Sequence, residues 1–378
     1  MKPVASDRRL LRLLFWESTI RCNLTCSHCR RIESNDTAST DLSTAQARDL
    51  IGQLAHLGRT QRAMPVLVFS GGEPLCREDL FELIRFARDQ QIPTALATNG
   101  TLIDTAVARR IADSGVQRVS VSLDGADGPT HDRMRQLQGS FERALQGIRW
   151  LREHGVPFQI NMTVTQHNRH QLEALYDLAR SLGAVAVHPF MLVPVGCGVE
   201  LAETDMMTPG QYEQALREIA GLEARGGLQI KVTCGPHYER VKRQVGSSEA
   251  TGHPKGSVPG GAAGHGASSR GCLAGQGILF VGHQGDVFPC GYLPVLCGNV
   301  CKEPLEHLWH RSPDLMRLND SESLQGKCGR CGFRRVCGGC RARAYAETRN
   351  YLAEEPFCIY EPKTINESHH TEERARLL

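Results

Sequence analysis

The chain has 378 residues, is 40% hydrophobic and sets 44 Lys and Arg against 41 Asp and Glu. No apolar run approaches the roughly 20 residues that span a bilayer, a net charge of +3 gives no basic field for nucleic acid, and Arg8, Arg9 and Arg12 ahead of a short apolar patch make a poor signal peptide. These features predict a soluble cytoplasmic protein with no nucleic-acid or membrane partner, and the 15 cysteines, odd in number and gathered in close pairs, favour metal over disulfides in a reducing, anaerobic setting.

The apolar run Leu11 to Trp16 reads as a strand and leads into a loop carrying Cys22, Cys26 and Cys29. The Cys-x3-Cys-x2-Cys spacing lets one loop turn three thiolates toward a cubane 4Fe-4S cluster, with the fourth iron left open to bind a substrate or cosubstrate. Zinc is the competing reading, but it wants four closed ligands, and His28 between two of the cysteines is poorly placed to be one. Ser43 and Gln46 form a capping box opening a helix through His56. Strand Val66 to Phe69 precedes Ser70-Gly71-Gly72-Glu73-Pro74, and Leu80, Leu83, Ile84 and Phe86 mark the next helix. Thr94 to Ala97 is a strand, Asp104 caps a helix ending before Gly115, Arg118 to Ser122 is a strand, and Ser140 to His154 is helical. Gln159 to Val164, a helix from Gln171 to Leu182, strand Ala186 to Leu192 and a helix from Thr208-Pro209 complete the run.

Such units in one direction demand an α/β fold with a parallel sheet and right-handed crossovers, either an open doubly wound sheet or a barrel. Loops past the strand ends then hold the chemistry. There Gly71 and Gly72 let backbone approach a ligand, Thr98-Asn99-Gly100 closes the third strand, and Ser120, Ser122 and Asp124 close the fourth. Asn161 and Thr163 lie on the fifth, and Val193 to Gly196 follow the sixth. Asn99-Gly100 and Asp124-Gly125 are also strong turn formers in their own right.

His237, Arg240, Lys242 and Arg243 follow the last of these strands as candidate partners for substrate carboxylates, or as a solvated basic helix face. Residues 246–271, rich in glycine and small polar residues, read as a flexible linker or a lid, with His253 and His265 solvated within it. Cysteines then resume at Cys272, Cys290, Cys297, Cys301, Cys328, Cys331, Cys337, Cys340 and Cys358. Two CxxC pairs with intervening glycines suit metal coordination, either iron-sulfur or a zinc ribbon. Ile278 to Val281 and the Gly285 to Cys290 stretch read as a hairpin.

A CxxxCxxC loop after the first strand, followed by Gly-Gly-Glu-Pro after the second, resembles the radical S-adenosylmethionine enzymes. The resemblance implies a partial (β/α)6 TIM-like barrel over residues 10–240. It also implies a 4Fe-4S cluster on Cys22, Cys26 and Cys29 whose open iron chelates S-adenosylmethionine, cleaved on reduction to a 5'-deoxyadenosyl radical. Gly71, Gly72, Glu73, Pro74, Thr98, Asn99, Ser122, Asp124 and Asn161 are the implied cosubstrate-binding positions. Residues 272–362 resemble the SPASM extension of these enzymes, a small cysteine-rich C-terminal iron-sulfur domain that holds auxiliary 4Fe-4S clusters. One would use Cys272, Cys290 and Cys340, with a fourth ligand from Cys234, Cys297, Cys301 or substrate; the other would use Cys328, Cys331, Cys337 and Cys358. Cys340 follows Cys337 after two residues, where that extension usually has three.

Gly-Cys-Leu-Ala-Gly at 271–275, Val-Phe-Pro-Cys-Gly-Tyr-Leu-Pro-Val at 287–295 and Cys-Gly-Gly-Cys-Arg-Ala-Arg-Ala at 337–344 look most like the tetrapyrrole-modifying branch, the heme synthases of the siroheme-dependent pathway, whose relatives act in heme d1 formation and siroheme decarboxylation. This implies iron-coproporphyrin III as substrate, oxidative decarboxylation of two propionates to vinyl groups, and an external low-potential electron donor. Peptide maturation is the alternative, and a leader-binding domain finds no room before residue 10. His237, Arg240 and Arg243 are the expected substrate contacts.

Overall fold

The structure, a computed structural model, describes residues 9–30, 40–202, 204–248 and 271–362. Strand and helix alternate as expected. β1 (Leu13–Glu17) leads into the cysteine loop, and α1 (Thr44–Thr60) opens on the Ser43 and Gln46 capping box. β2 (Val66–Ser70) precedes α2 (Leu80–Asp89), and β3 (Thr94–Thr98) precedes α3 (Thr105–Ser114), which Asp104 caps and left-handed Gly115 ends. β4 (Arg118–Ser122) is followed by two helices, α4 (Gly128–Arg135) and α5 (Ser140–Glu153), of which the sequence analysis expects only the second. β5 (Phe158–Val164), α6 (Leu172–Leu182), β6 (Ala186–Met191), α7 (Pro209–Arg225), the short β7 (Gln229–Ile230) and α8 (Tyr238–Ser248) follow. Residues 249–270 of the expected linker, with His253 and His265, lie outside the described residues.

β1 to β7 pair in chain order, all parallel. Leu14, Leu67, Leu96, Val121 and Ile160 point to one face, where they share an apolar core with Leu54, Leu83, Ile111 and Ile148 of the helices. Each such side chain contributes about 1.5–3 kcal/mol. A doubly wound sheet would spread its helices over both faces; here they pack side by side over one, so the barrel is the correct alternative of the two. Among the described residues β7 does not pair back to the opposite edge, and the barrel is partial.

The cysteine-rich region extends the same sheet. β8 (Ile278–Val281) and β9 (Asp286–Phe288) form the expected hairpin, and β10 (Gly298–Asn299) adds a third antiparallel strand. β8 then pairs in parallel with β1, placing Phe280 beside Phe15. α9 (Leu305–Arg311) packs against α1; α10 (Pro313–Asn319), α11 (Gly326–Gly329) and α12 (Arg341–Thr348) surround the later cysteines.

Where β1 meets this region, Glu17 lies between Arg30 Nη2 at 2.6 Å and His283 Nδ1 at 3.1 Å. Burial pushes the Glu17 carboxyl up, but Arg30 and His283 outweigh it and bring the pKa from 4.5 down to about 2. A carboxylate depressed in the folded state stabilises fully above its unfolded pKa and loses that contribution as pH falls through the folded one. Acid unfolding is therefore expected to show a loss on the order of 3 kcal/mol between pH 4.5 and 2 from this group, and denaturant titrations of Glu17→Gln should lack that slope.

Candidate active site

The loop holding Cys22, Cys26 and Cys29 runs backbone to backbone with the loop after β2. Ser18 N donates to Ser70 O at 2.8 Å, Gly72 N to Thr19 O at 2.8 Å and Glu73 N to Arg21 O at 2.8 Å. A Cβ on Gly71 would sit 2.5 Å from Thr19 O, and one on Gly72 would sit 2.2 Å from Arg21 O. The two glycines thus admit the cysteine loop itself, a closer neighbour than the ligand expected from the sequence. Glu73, fully buried, accepts from Leu75 N at 3.2 Å, Thr98 Oγ1 at 2.8 Å and Asn99 N at 2.8 Å. Burial pushes its carboxyl up to about 7 against the pull of those donors. Its side chain fastens the end of β3 to the cysteine loop's partner, and Pro74 opens a single 3-10 turn behind it. Asn99 Nδ2 donates to Asn23 Oδ1 at 2.8 Å, so the third strand end also grips the cysteine loop directly.

Asp124, past β4, is fully buried. Its Oδ2 lies 2.7 Å from Arg135 Nη2 and 3.4 Å from His28 Nε2, and its Oδ1 accepts from Thr163 N at 2.8 Å. Burial would raise its pKa, but Arg135 and then His28 hold it below the usual carboxylate range. Arg135 Nη1 also donates to Cys26 Sγ at 3.7 Å, and Leu24 N donates to Cys22 Sγ at 3.4 Å. Burial raises the Cys26 thiol, with Arg135 opposing and Cys29 adding to the rise. Nothing in the spacing of the sequence marks Arg135; the signal that could find its helix is Asp127-Gly128-Pro129, a capping residue with proline in the first turn. Ser122 and Asn161 stand in register on neighbouring strands.

The later cysteines gather in two sets. Cys234 shares a hydrogen bond with Cys340, and Cys272, Cys290 and Cys340 feel one another's charge. Of the three cysteines that are candidates for a fourth position, the structure brings Cys234 to this set. Cys297 instead donates to Val295 O at 3.5 Å, and Cys301 is exposed beside Gln46. Cys328, Cys331, Cys337 and Cys358 line one cavity. Backbone N–H groups of Glu355, Phe333 and Gly339 donate to Cys328, Cys331 and Cys337 at 3.3, 3.4 and 3.5 Å. Among the described residues no three ligand-type side chains converge tightly enough for a single metal ion. All-thiolate sets with N–H donors on sulfur fit iron-sulfur clusters in chemistry.

The expected substrate contacts lie on or beside α8. His237 and Arg240 line the cavity of Cys328, Cys331, Cys337 and Cys358. Arg240 is buried in an ion pair with Glu213, Arg243 pairs with Glu239 at 3.2 Å, and Lys242 pairs with Glu223 at 3.0 Å. These charges are met by the protein's own carboxylates in this structure. His237 is fully buried with its ring against Tyr212, 4.7 Å between centroids, and burial lowers its pKa to about 4.

The sequence profile of the Radical SAM superfamily matches residues 16–179, and SPASM, an iron-sulfur cluster-binding domain, matches residues 272–332. The chain is 44% identical to the AdoMet-dependent heme synthase of Methanosarcina barkeri over 93% of this chain and 97% of that protein. It is 40% identical to the protein of the same name from Nitratidesulfovibrio vulgaris, over 94% of each. Among solved structures, Streptococcus suis SuiB bound to precursor peptide SuiA superposes with a TM-score of 0.70 at 16% identity, covering 93% of this chain and 76% of that one, a likeness of fold.

Proposed function

The chain belongs to the radical S-adenosylmethionine family and carries the SPASM iron-sulfur region, and from that premise we propose that it is a heme synthase converting two propionates of iron-coproporphyrin III to vinyl groups. The observation that carries this reading is the 44% identity to an AdoMet-dependent heme synthase, sustained over 93% of this chain and 97% of that relative. Bound clusters and S-adenosylmethionine, with an external low-potential electron donor, supply the one-electron chemistry by which each propionate loses a hydrogen atom, CO2 and one further electron.

The protein's own part is to hold and orient. Cys22, Cys26 and Cys29 hold the cosubstrate-binding cluster, and Arg135, anchored by Asp124, fixes Cys26. Gly71 to Pro74, Thr98, Asn99, Ser122, Asp124 and Asn161 form the strand-end surface that receives the cosubstrate, its shape set by the Glu73 and Asn23 contacts. Cys234, Cys272, Cys290 and Cys340 hold one auxiliary cluster; Cys328, Cys331, Cys337 and Cys358 hold the other.

Anaerobically reconstituted protein, given iron-coproporphyrin III, S-adenosylmethionine and a strong reductant, is expected to yield a porphyrin lighter by two carboxyl groups together with 5'-deoxyadenosine. Cys26→Ser should abolish both products, read by mass spectrometry. 5'-Deoxyadenosine formation with the porphyrin mass unchanged would assign this chain another substrate within the family.

A further inference from the structure

Hydrogen bonds to the sulfurs of an iron-sulfur cluster help to set its reduction potential, and the cavity of Cys328, Cys331, Cys337 and Cys358 holds donors that the protein alone does not use. Each of these thiols already has a backbone N–H of its own. Glu355 N serves Cys328 at 3.3 Å, Phe333 N serves Cys331 at 3.4 Å, Gly339 N serves Cys337 at 3.5 Å, and Tyr360 N serves Cys358. His237 and Arg240 line the same cavity.

His237 is fully buried, and among the described residues neither its Nδ1 nor its Nε2 has a hydrogen-bond partner. An imidazole carries at least one N–H in either tautomer, so a donor is left unmet in the interior, where nearly every such group is paired. The polar groups around the ring are committed elsewhere. Tyr212, whose ring lies against His237, donates its hydroxyl to Cys234 O at 2.9 Å and accepts from Arg343 Nη2 at 2.7 Å. Glu355 accepts from Arg343 Nε, Phe357 N and Cys340 N at 2.8, 3.3 and 2.6 Å. Glu213 accepts from Arg240 Nη1 at 3.0 Å and Arg217 Nη2 at 3.2 Å.

Arg240 repeats the pattern. Its two Nη groups go to Glu213 and Gln244, while its Nε is buried with no partner among the described residues, and Cys337 and Cys358 lie close enough for their charge to act on it. Two orphaned donors at one cavity, whose thiols are already served, leave the bridging sulfides of a bound cluster as the acceptors that fit.

We propose that His237 donates a ring N–H to the cluster held by Cys328, Cys331, Cys337 and Cys358, and so acts as a positioning residue that makes this cluster easier to reduce. This rests on reading those four cysteines as the ligands of an auxiliary cluster, and it is independent of the substrate. An electron reaching the cluster takes it from the 2+ to the 1+ state, and no proton leaves His237. The added negative charge strengthens a hydrogen bond to sulfur, so the donor favours the reduced form.

The test is the midpoint potential of that cluster, followed by EPR during an anaerobic redox titration of the reconstituted full chain. His237→Phe keeps an aromatic ring against Tyr212 and removes both nitrogens. It is expected to lower the equilibrium constant for reduction at least tenfold, about 59 mV for a one-electron couple, with iron content and the other midpoints unchanged. His237→Asn and His237→Gln place an amide N–H near the positions of Nδ1 and Nε2, and the one that matches the donating nitrogen should bring the equilibrium constant back to within twofold of wild type. An unmoved midpoint in His237→Phe, or a lowered one that neither amide restores, overturns the assignment. Should His237→Phe not retain its iron, the two amides decide, and equal midpoints in both overturn it. The cluster reading is tested apart from this: Cys328→Ala with Cys331→Ala should remove about four irons per chain, and an unchanged iron count would overturn that reading together with the hydrogen bond.

Discussion

Arg135→Leu is expected to empty the N-terminal cluster site and to lower S-adenosylmethionine cleavage by at least tenfold, about 1.4 kcal/mol or more in activation free energy. Arg135 is the cation of a buried pair, Asp124 being fully enclosed and Arg135 nearly so. Removing it leaves a carboxylate in low dielectric with His28, His131 and Thr163 N beside it and no permanent cation. Stranding a buried charge in this way costs about 3–5 kcal/mol. The same substitution removes the N–H donor from Cys26 Sγ. Iron content, the EPR signal of the reduced cluster and the rate of 5'-deoxyadenosine formation would report the loss. Arg135→Lys should recover only part, because an ammonium cannot span Asp124 and Cys26 as the planar guanidinium does. An unchanged iron count and rate in Arg135→Leu would remove Arg135 from the site.

The largest stability effect is expected at Glu355. Its Oε1 accepts from Arg343 Nε at 2.8 Å and its Oε2 from Cys340 N at 2.6 Å, with both side chains of the ion pair 1% exposed. Arg343 spends its remaining donors on Leu192 O at 2.8 Å, Tyr212 Oη at 2.7 Å and Cys234 O. This pair therefore joins β6, the Cys234 turn and the C-terminal cysteines at one point. Glu355→Ala should cost about 3–5 kcal/mol, because Arg343 stays behind unpaired. Replacing both partners, as Arg343→Met with Glu355→Met, should recover part of that cost, since two apolar side chains strand no charge. Urea midpoints of the reconstituted proteins measure both effects. A single variant as stable as the double would show that the pair carries no such energy.

The two substitutions also mark where sequence reasoning succeeds and where it stops. Strands and caps were legible because their causes are local: Ser43 with Gln46, Asp104 with Val107, Thr208 with Pro209. The three-cysteine loop and the Gly-Gly-Glu-Pro segment were legible by spacing, although the reason for the glycines, the close approach of Thr19 and Arg21, lies some 50 residues back in the chain. Arg240 and Arg243 looked available because Cys234 to Arg243 is locally basic. Glu213, which neutralises Arg240, is 27 residues away on the preceding helix and carries no mark of that pairing. Cys234 was indistinguishable from Cys297 and Cys301 for the same reason. Alternation is plain in Arg118-Val-Ser-Val-Ser122, but only the register with β5 and β6 shows that Ser122, Asn161 and His188 stand in one row.

The parallel ladder between β8 and β1 has a consequence for how the two halves of the molecule depend on each other. β1 is an inner strand only because residues that follow it by some 260 positions lie along its flank. A fragment ending before residue 271 would turn this strand into a raw margin, its amide and carbonyl groups open to any passing chain, and the cysteine loop would hang from the least protected strand of the fold. The barrel and its C-terminal partner therefore stand or fall as one folding unit. Completing that seam requires contacts between the two extremes of the sequence, which makes a late, slow step in assembly.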